Sequence, residues 1–260
     1  MLFRSLGYRV LIPRLPGHGA LDADGQVTHD ELPRAAEWER YGRFADEALD
    51  RARTWPEPIL LCGLSAGGAV ALDLATRAPD IVRTCLVAPL LGPAPRAGRI
   101  LMSLHRHLDP RTAGGFGRIL DRLPYSWGRT PPVHDDGWTR PGHWHMRVGH
   151  LASVLTYAAR VASTSGKPRG PVMLISTAAD DLSAEGPIRR LAERLERPTE
   201  DWHHYPAREG VPHAMIHRRQ HPEAARRRDV QDRITRFLTG EVSVQDPGQD
   251  LGQDPGLGTH

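Results

Sequence analysis

The stretch "ILLCGLSAGGAVALDL", residues 59–74, constrains this chain more than any other. Ile59-Leu60-Leu61-Cys62 is an apolar run of buried-strand length, and Ala66 to Arg77 is rich in helix formers. Between them Gly63-Leu64-Ser65-Ala66-Gly67 fits G-x-S-x-G, a strained turn that stands its serine proud between a strand and a helix. The neighbours of Ser65 at both ends must be small for the turn to close, and Gly68 and Ala69 extend the run of small side chains. Unpaired N–H groups and the positive end of the following helix favour negative charge beside the serine.

The rest of the chain repeats the alternation. Strands are expected at "YRVLIP" (8–13), 58–62, "IVRTCLVAP" (81–89), "PVMLIST" (171–177) and "DWHHYPA" (201–207). Helices are expected at 37–53, 66–77, 185–196 and 224–240, the last stopped by Gly240. Strands alternating with helices predict an α/β fold, a mostly parallel sheet flanked by helices. Residues 92–168 break the pattern, being rich in Pro, Gly, Arg, His and Trp with one helical stretch at 145–162. A structureless loop of that length does not suit a compact domain, so it reads as an inserted cap. The core is then built from 1–91 and 169–240, and 241–260, with its short Gln-Asp-Pro/Leu-Gly repeat, is expected to be disordered.

Composition excludes several classes of function. The charge sum is 34 − 31 = +3, the base is nearly all arginine with Lys167 the sole lysine, and no dense basic run sits beside aromatics. Nucleic-acid binding is therefore not expected, and Arg226-Arg227-Arg228 reads as a solvated helix face. No apolar run reaches the roughly 18 residues of a membrane span. No leader pattern is visible, so a soluble cytoplasmic protein is expected. Cys62 and Cys85 read as reduced, buried side chains. His143-Trp144-His145 has ligand-like spacing without an acidic or cysteine set around it, so neither metal nor cofactor is expected. The sequence leaves the oligomeric state open.

A serine hydroxyl is a poor nucleophile until a base takes its proton and a carboxylate orients that base. "LISTAADDLSAEGPI" sets Asp180 and Asp181 just beyond a buried strand, with Asp180 suited to orienting and Asp181 to capping the next helix. "AREGVPHAMIH" sets His213 just beyond the last strand, with His217 a turn further on. His203-His204, in that strand, reads as surface. The order Ser, Asp, His is the one that an α/β-hydrolase sheet requires.

With these residues in place the chain resembles the α/β-hydrolase superfamily, close to its lipase, esterase and monoacylglycerol-lipase-like branch. The matching pieces are "GYRVLIPRLPGHG" (7–19), "LCGLSAGGAVALDLA" (61–75), "LISTAADD" (174–181) and "GVPHAMI" (210–216). The resemblance implies Ser65 as nucleophile, Asp180 as acid, His213 as base and the Ala66 N–H as an oxyanion donor. It implies a small-molecule ester substrate, with Phe116, Tyr125, Trp127, Trp138 and Trp144 of the cap as candidate pocket walls. One piece of the family pattern is not found in these 260 residues: a strand ending in a His-Gly turn that supplies the second oxyanion N–H. The expectation is an N-terminally incomplete sheet, from a natural start upstream or from a degenerate hydrolase that binds without turnover. His18-Gly19 is a weaker substitute donor, because in the family pattern it ends the following strand.

Overall fold

The structure, a computed structural model, describes residues 2–18, 20–21, 27–28, 31–93, 119, 121–126, 145–164, 166–195, 202–216, 221 and 223–240. Among them a sheet of four parallel strands runs in the order β3 (Ile59–Leu64), β4 (Ile81–Val87), β7 (Val172–Thr177), β8 (Trp202–Tyr205). Two short antiparallel ladders accompany it, β1 (Ala20–Leu21) with β2 (Val27–Thr28) and β5 (Pro124–Ser126) with β6 (His145–Arg147). The helices are α1 (Leu2–Ser5), α2 (Glu39–Arg53), α3 (Ala66–Arg77), α4 (Val148–Thr164), α5 (Glu185–Leu195) and α6 (Ala224–Thr239).

Strands covered on both faces must be apolar throughout, and their alternation decides which layer each side chain enters. Leu86 of β4 and Val172 and Leu174 of β7 join Leu72, Leu74, Leu155, Ile188 and Leu191 in a core under α2 to α5. Their neighbours Cys85, Val87, Met173 and Ile175 turn the other way, onto Tyr205, Val230, Ile234 and Leu238 beneath α6. Gly240, at φ 80°, closes α6 in the left-handed conformation that glycine adopts without strain.

The structure departs from the sequence reading at residues 8–13 and at Cys62, among other places. Residues 8–13 form no strand; Arg9 is held by Glu57 at 3.4 Å and over the Trp55 ring at 5.0 Å, while Ile12 is 72% exposed. Their composition suits a strand, but no neighbouring edge among the described residues supplies a ladder. Cys62 is exposed while Cys85 is buried, although the two lie side by side in register, because β3 is an edge strand of the described sheet and β4 is not. The helix α4 lies within the stretch 92–168, and its Leu151, Ala152, Leu155 and Ala158 belong to the main core. The Tyr157 hydroxyl donates to Asp73 of α3 at 2.9 Å and Arg160 lies 4.4 Å over the Trp38 ring, so this helix is docked on α3 and the entrance to α2.

His203, expected at the surface, is half-buried edge-on against Tyr205 at 4.4 Å between ring centres. Burial, followed by the positive Arg233 and opposed by Asp229, brings its pKa down from 6.5 to about 4. The unfolded chain therefore takes up this proton first. The stability contributed is complete above about pH 6.5 and is lost as pH falls toward 4. With the ring's partial exposure allowed for, the loss is about 1 kcal/mol. Thermal unfolding at pH 7 and pH 5 should show a smaller drop in Tm for His203→Phe than for the wild type.

Candidate active site

Parallel strands deliver their C-terminal ends to one rim, and the three residues singled out above follow three of those ends. Ser65 follows β3, Asp180 follows β7 and His213 follows β8. Ser65 has φ 55° and ψ −121°, a conformation non-glycine residues rarely adopt. The turn is fastened from both sides. Ser65 N–H donates to Val87 O at 3.0 Å, and Ser65 O accepts from Gly68 N and Leu90 N at 2.9 Å each. Ala88, just beyond β4, also has positive φ (41°) and donates to Ile175 O at 2.8 Å, so strain is stored on both neighbouring strand ends.

The glycines around the serine have unequal duties. A Cβ on Gly63 would lie 2.2 Å from Gly67 O, and one on Gly68 would lie 2.9 Å from Pro89 Cβ, whereas one on Gly67 would meet nothing within 4 Å. The close approach is thus made by Gly63 and Gly68, and the sequence pattern misassigns the second of them. Gly63→Ala should lower stability by roughly 3 kcal/mol, since backbone rather than a flexible side chain must move. Gly67→Ala, in the first turn of α3, should be neutral or stabilising by up to about 1 kcal/mol. Chemical denaturation of the two variants checks the contrast.

Asp180 is fixed by its own loop. Its Oδ1 accepts from Leu182 N at 2.8 Å and Ser183 N at 2.7 Å, which leaves Oδ2 to accept from His213 Nδ1 at 2.8 Å. Both side chains are nearly closed to solvent, and Asp181 is exposed. Ser183 bridges Pro93, and Ala184 N donates to Gly92 O at 2.8 Å, so the loop after β4 braces the loop that carries Asp180. On the other side His221, buried, meets Met215 O through Nδ1 at 2.7 Å and steadies the segment that carries His213.

A carboxylate at Nδ1 sets the imidazole tautomer, since only a protonated Nδ1 can donate to it. In a neutral ring Nε2 is then the acceptor. That atom is buried and has no hydrogen-bond partner among the described residues, Ser65 included. Asp180 and His213 are thus already paired, while no hydrogen bond joins Ser65 to His213; contacts of this kind commonly tighten only with a ligand bound. The Ala66 N–H opens α3 and has no partner within the helix, as the first residue of any helix must.

Other sequence candidates fall elsewhere. Phe116, Trp127, Trp138, Trp144, His143, His217 and Gly19 lie outside the described residues, as does the side chain of Tyr125. His18 Nδ1 lies 3.1 Å from Pro16 O, a local turn contact. His204, expected at the surface, is half-buried with Nδ1 2.8 Å from Ser176 Oγ, which also accepts from Trp202 Nε1 at 2.9 Å. Two strands meeting in space create that contact, and no local sequence pattern announces it. Among the described residues no cluster of metal-ligating side chains is found, and no helix is long and apolar enough to cross a membrane. A cavity of about 350 Å³ opens between α2, α3 and α4. Its Asp73, Arg77, Asp46 and Tyr157 are paired with one another, and neither Ser65 nor His213 lines it.

Comparison with known proteins adds the following. A model described as "Alpha/beta hydrolase family" matches residues 2–228. Phospholipase YtpA of Bacillus subtilis (strain 168) is 34% identical over 94 residues, which are 35% of this chain and 33% of that protein. The match thus spans about a third of that relative. The monoacylglycerol lipase of Paleococcus ferrophilus superposes with a TM-score of 0.56 at 20% identity, covering 85% of this chain and 80% of that one. A soluble variant of monoglyceride lipase from Saccharomyces cerevisiae, in complex with a substrate analogue, gives 0.59 at 12% identity, covering 88% and 77%. At these identities the superpositions speak for the fold.

Proposed function

The chain belongs to the alpha/beta hydrolase family, and on that premise we propose that it is a serine hydrolase cleaving carboxylic esters of apolar acyl groups through an acyl-enzyme on Ser65. One observation carries the reading: His213 holds a 2.8 Å contact to Asp180 through Nδ1 while its buried Nε2 has no partner among the described residues, on the rim that also bears Ser65. In the proposed reaction Nε2 takes the hydroxyl proton as Ser65 Oγ attacks the ester carbonyl. Asp180 stabilises the imidazolium that forms, and the Ala66 N–H donates to the developing oxyanion. Collapse expels the alcohol with the proton from His213. Water, activated by the same imidazole, then releases the acid and restores Ser65. Proteins named as a phospholipase, a monoacylglycerol lipase and a monoglyceride lipase stand among those similar to this chain, and that lends weight to an acyl-ester substrate.

The test is a fluorophosphonate probe followed by peptide mass analysis, together with turnover of p-nitrophenyl acetate, butyrate and octanoate. Labelling confined to Ser65, with turnover rising toward the longer acyl groups, is the expected result. An alternative reading, a hydrolase shell that binds a small molecule without turnover, draws on the absent bond between Ser65 and His213. An unlabelled Ser65 and background rates with all three esters would favour it.

A further inference from the structure

The proposed acid and base stand on separate loops, and a 2.8 Å contact between them lasts only if the loops keep their spacing. Thr177, the last residue of β7, lies where the two loops meet and is 3% exposed. Its Oγ1 donates to Val211 O at 2.9 Å, two residues before His213, and accepts from Ala179 N at 3.1 Å, one residue before Asp180. Its carbonyl accepts from Asp180 N at 3.4 Å and closes the turn that carries the acid. One hydroxyl therefore clasps both loops. Val211 is fully buried, so water has no ready access to replace the bond.

We propose that Thr177 is a positioning residue that couples the Asp180 loop to the His213 loop and so keeps the carboxylate on Nδ1. The inference rests on the serine-hydrolase reading for its effect on rate, but its geometric part stands without it. A threonine is well fitted to the place. Its branched Cβ suits the end of a buried strand, and its hydroxyl can donate and accept at once. Valine keeps the shape and lacks both bonds; serine keeps both bonds and lacks the methyl.

The experiment compares wild type, Thr177→Val and Thr177→Ser in full-length protein. With p-nitrophenyl butyrate, Thr177→Val is expected to lower kcat about 10-fold or more at a KM within about twofold, since sub-ångström misplacement acts on the chemical step. Thr177→Ser should retain most of the rate. Concentrations are corrected to the fraction that folds, measured by fluorophosphonate titration, so a variant that simply folds less well shows no loss per active site. The second readout needs no turnover. A proton held between His213 Nδ1 and Asp180 gives a far-downfield NMR resonance, identified by its disappearance in His213→Gln. It should persist in Thr177→Ser and broaden or vanish in Thr177→Val. If Thr177→Val does not fold, Thr177→Cys, with its weak S–H donor, replaces it and should show the same losses in smaller measure. Wild-type kcat per active site in the valine or cysteine variant, or an unaltered downfield proton, overturns the proposal. A wild type that turns over no ester removes the catalytic reading, while the proton resonance still decides the coupling.

Discussion

Ser65→Ala is expected to lower ester turnover by about 10⁴-fold or more, to the level left by binding and the remaining oxyanion donors. The variant should otherwise be inconspicuous. Alanine fits wherever serine fits, the bonds fastening the turn run through the backbone, and the strain at φ 55° is as large for one residue as for the other. Its Tm should therefore match the wild type. Ser65→Gly separates chemistry from strain: it is equally inactive, yet glycine accepts the positive φ freely and relieves about 1–3 kcal/mol, so its Tm should rise. A protein more stable without the Ser65 side chain is the signature of a turn held against its own preference. Paired thermal-unfolding and p-nitrophenyl butyrate assays read both effects. Unchanged turnover in Ser65→Ala would falsify the acyl-enzyme reading.

The second large effect is expected at Asp180. Asparagine keeps the size and can present its oxygen to the Leu182 and Ser183 N–H groups, so the loop stays folded. Its amide nitrogen then faces His213 Nδ1 and donates to it. The ring is forced to carry its proton on Nε2, where it can no longer accept from a serine hydroxyl. Asp180→Asn should lower kcat by about 10²–10⁴-fold with little change in Tm. Asp180→Ala should add a structural penalty of roughly 1–3 kcal/mol by leaving two N–H donors unpaired. Asp181→Asn, at an exposed position, is the control expected to stay near wild-type rate. A collapse of activity in Asp181→Asn with Asp180→Asn intact would transfer the orienting role to the neighbouring residue.

Much of this architecture can be read from local pattern, for physical reasons that also mark the limit. The runs at 81–87 and 172–177 are mainly apolar because most of their residues are covered on both faces of the sheet, and the helices announce themselves through period and stop signals. The turn at Ser65 is legible because a serine between glycines, where a strand passes into a helix, is a local pattern that needs no distant neighbour to be recognised. What escaped depends on neighbours far away in the chain. Residues 8–13 have the composition of a strand, but a strand exists only where another edge meets it. Cys62 and Cys85 look alike in sequence and differ in exposure because one lies on an edge strand. Gly68, rather than Gly67, takes the close contact because Pro89 arrives from another loop. The hydroxyl of Thr177 finds Val211, 34 positions away. Periodicity carries no information about such meetings.

The edge position of β3 has a consequence for the timing of motion. Residues 84–87 of β4 and 174–175 of β7 are braced from both flanks, whereas β3 is braced by β4 alone among the described residues. Opening such a border needs less free energy than opening the middle of a sheet. Deuterium should therefore enter the amides of 59–64 sooner than those of 84–87 or 174–175, so the stretch leading into Ser65 breathes ahead of the middle of the sheet.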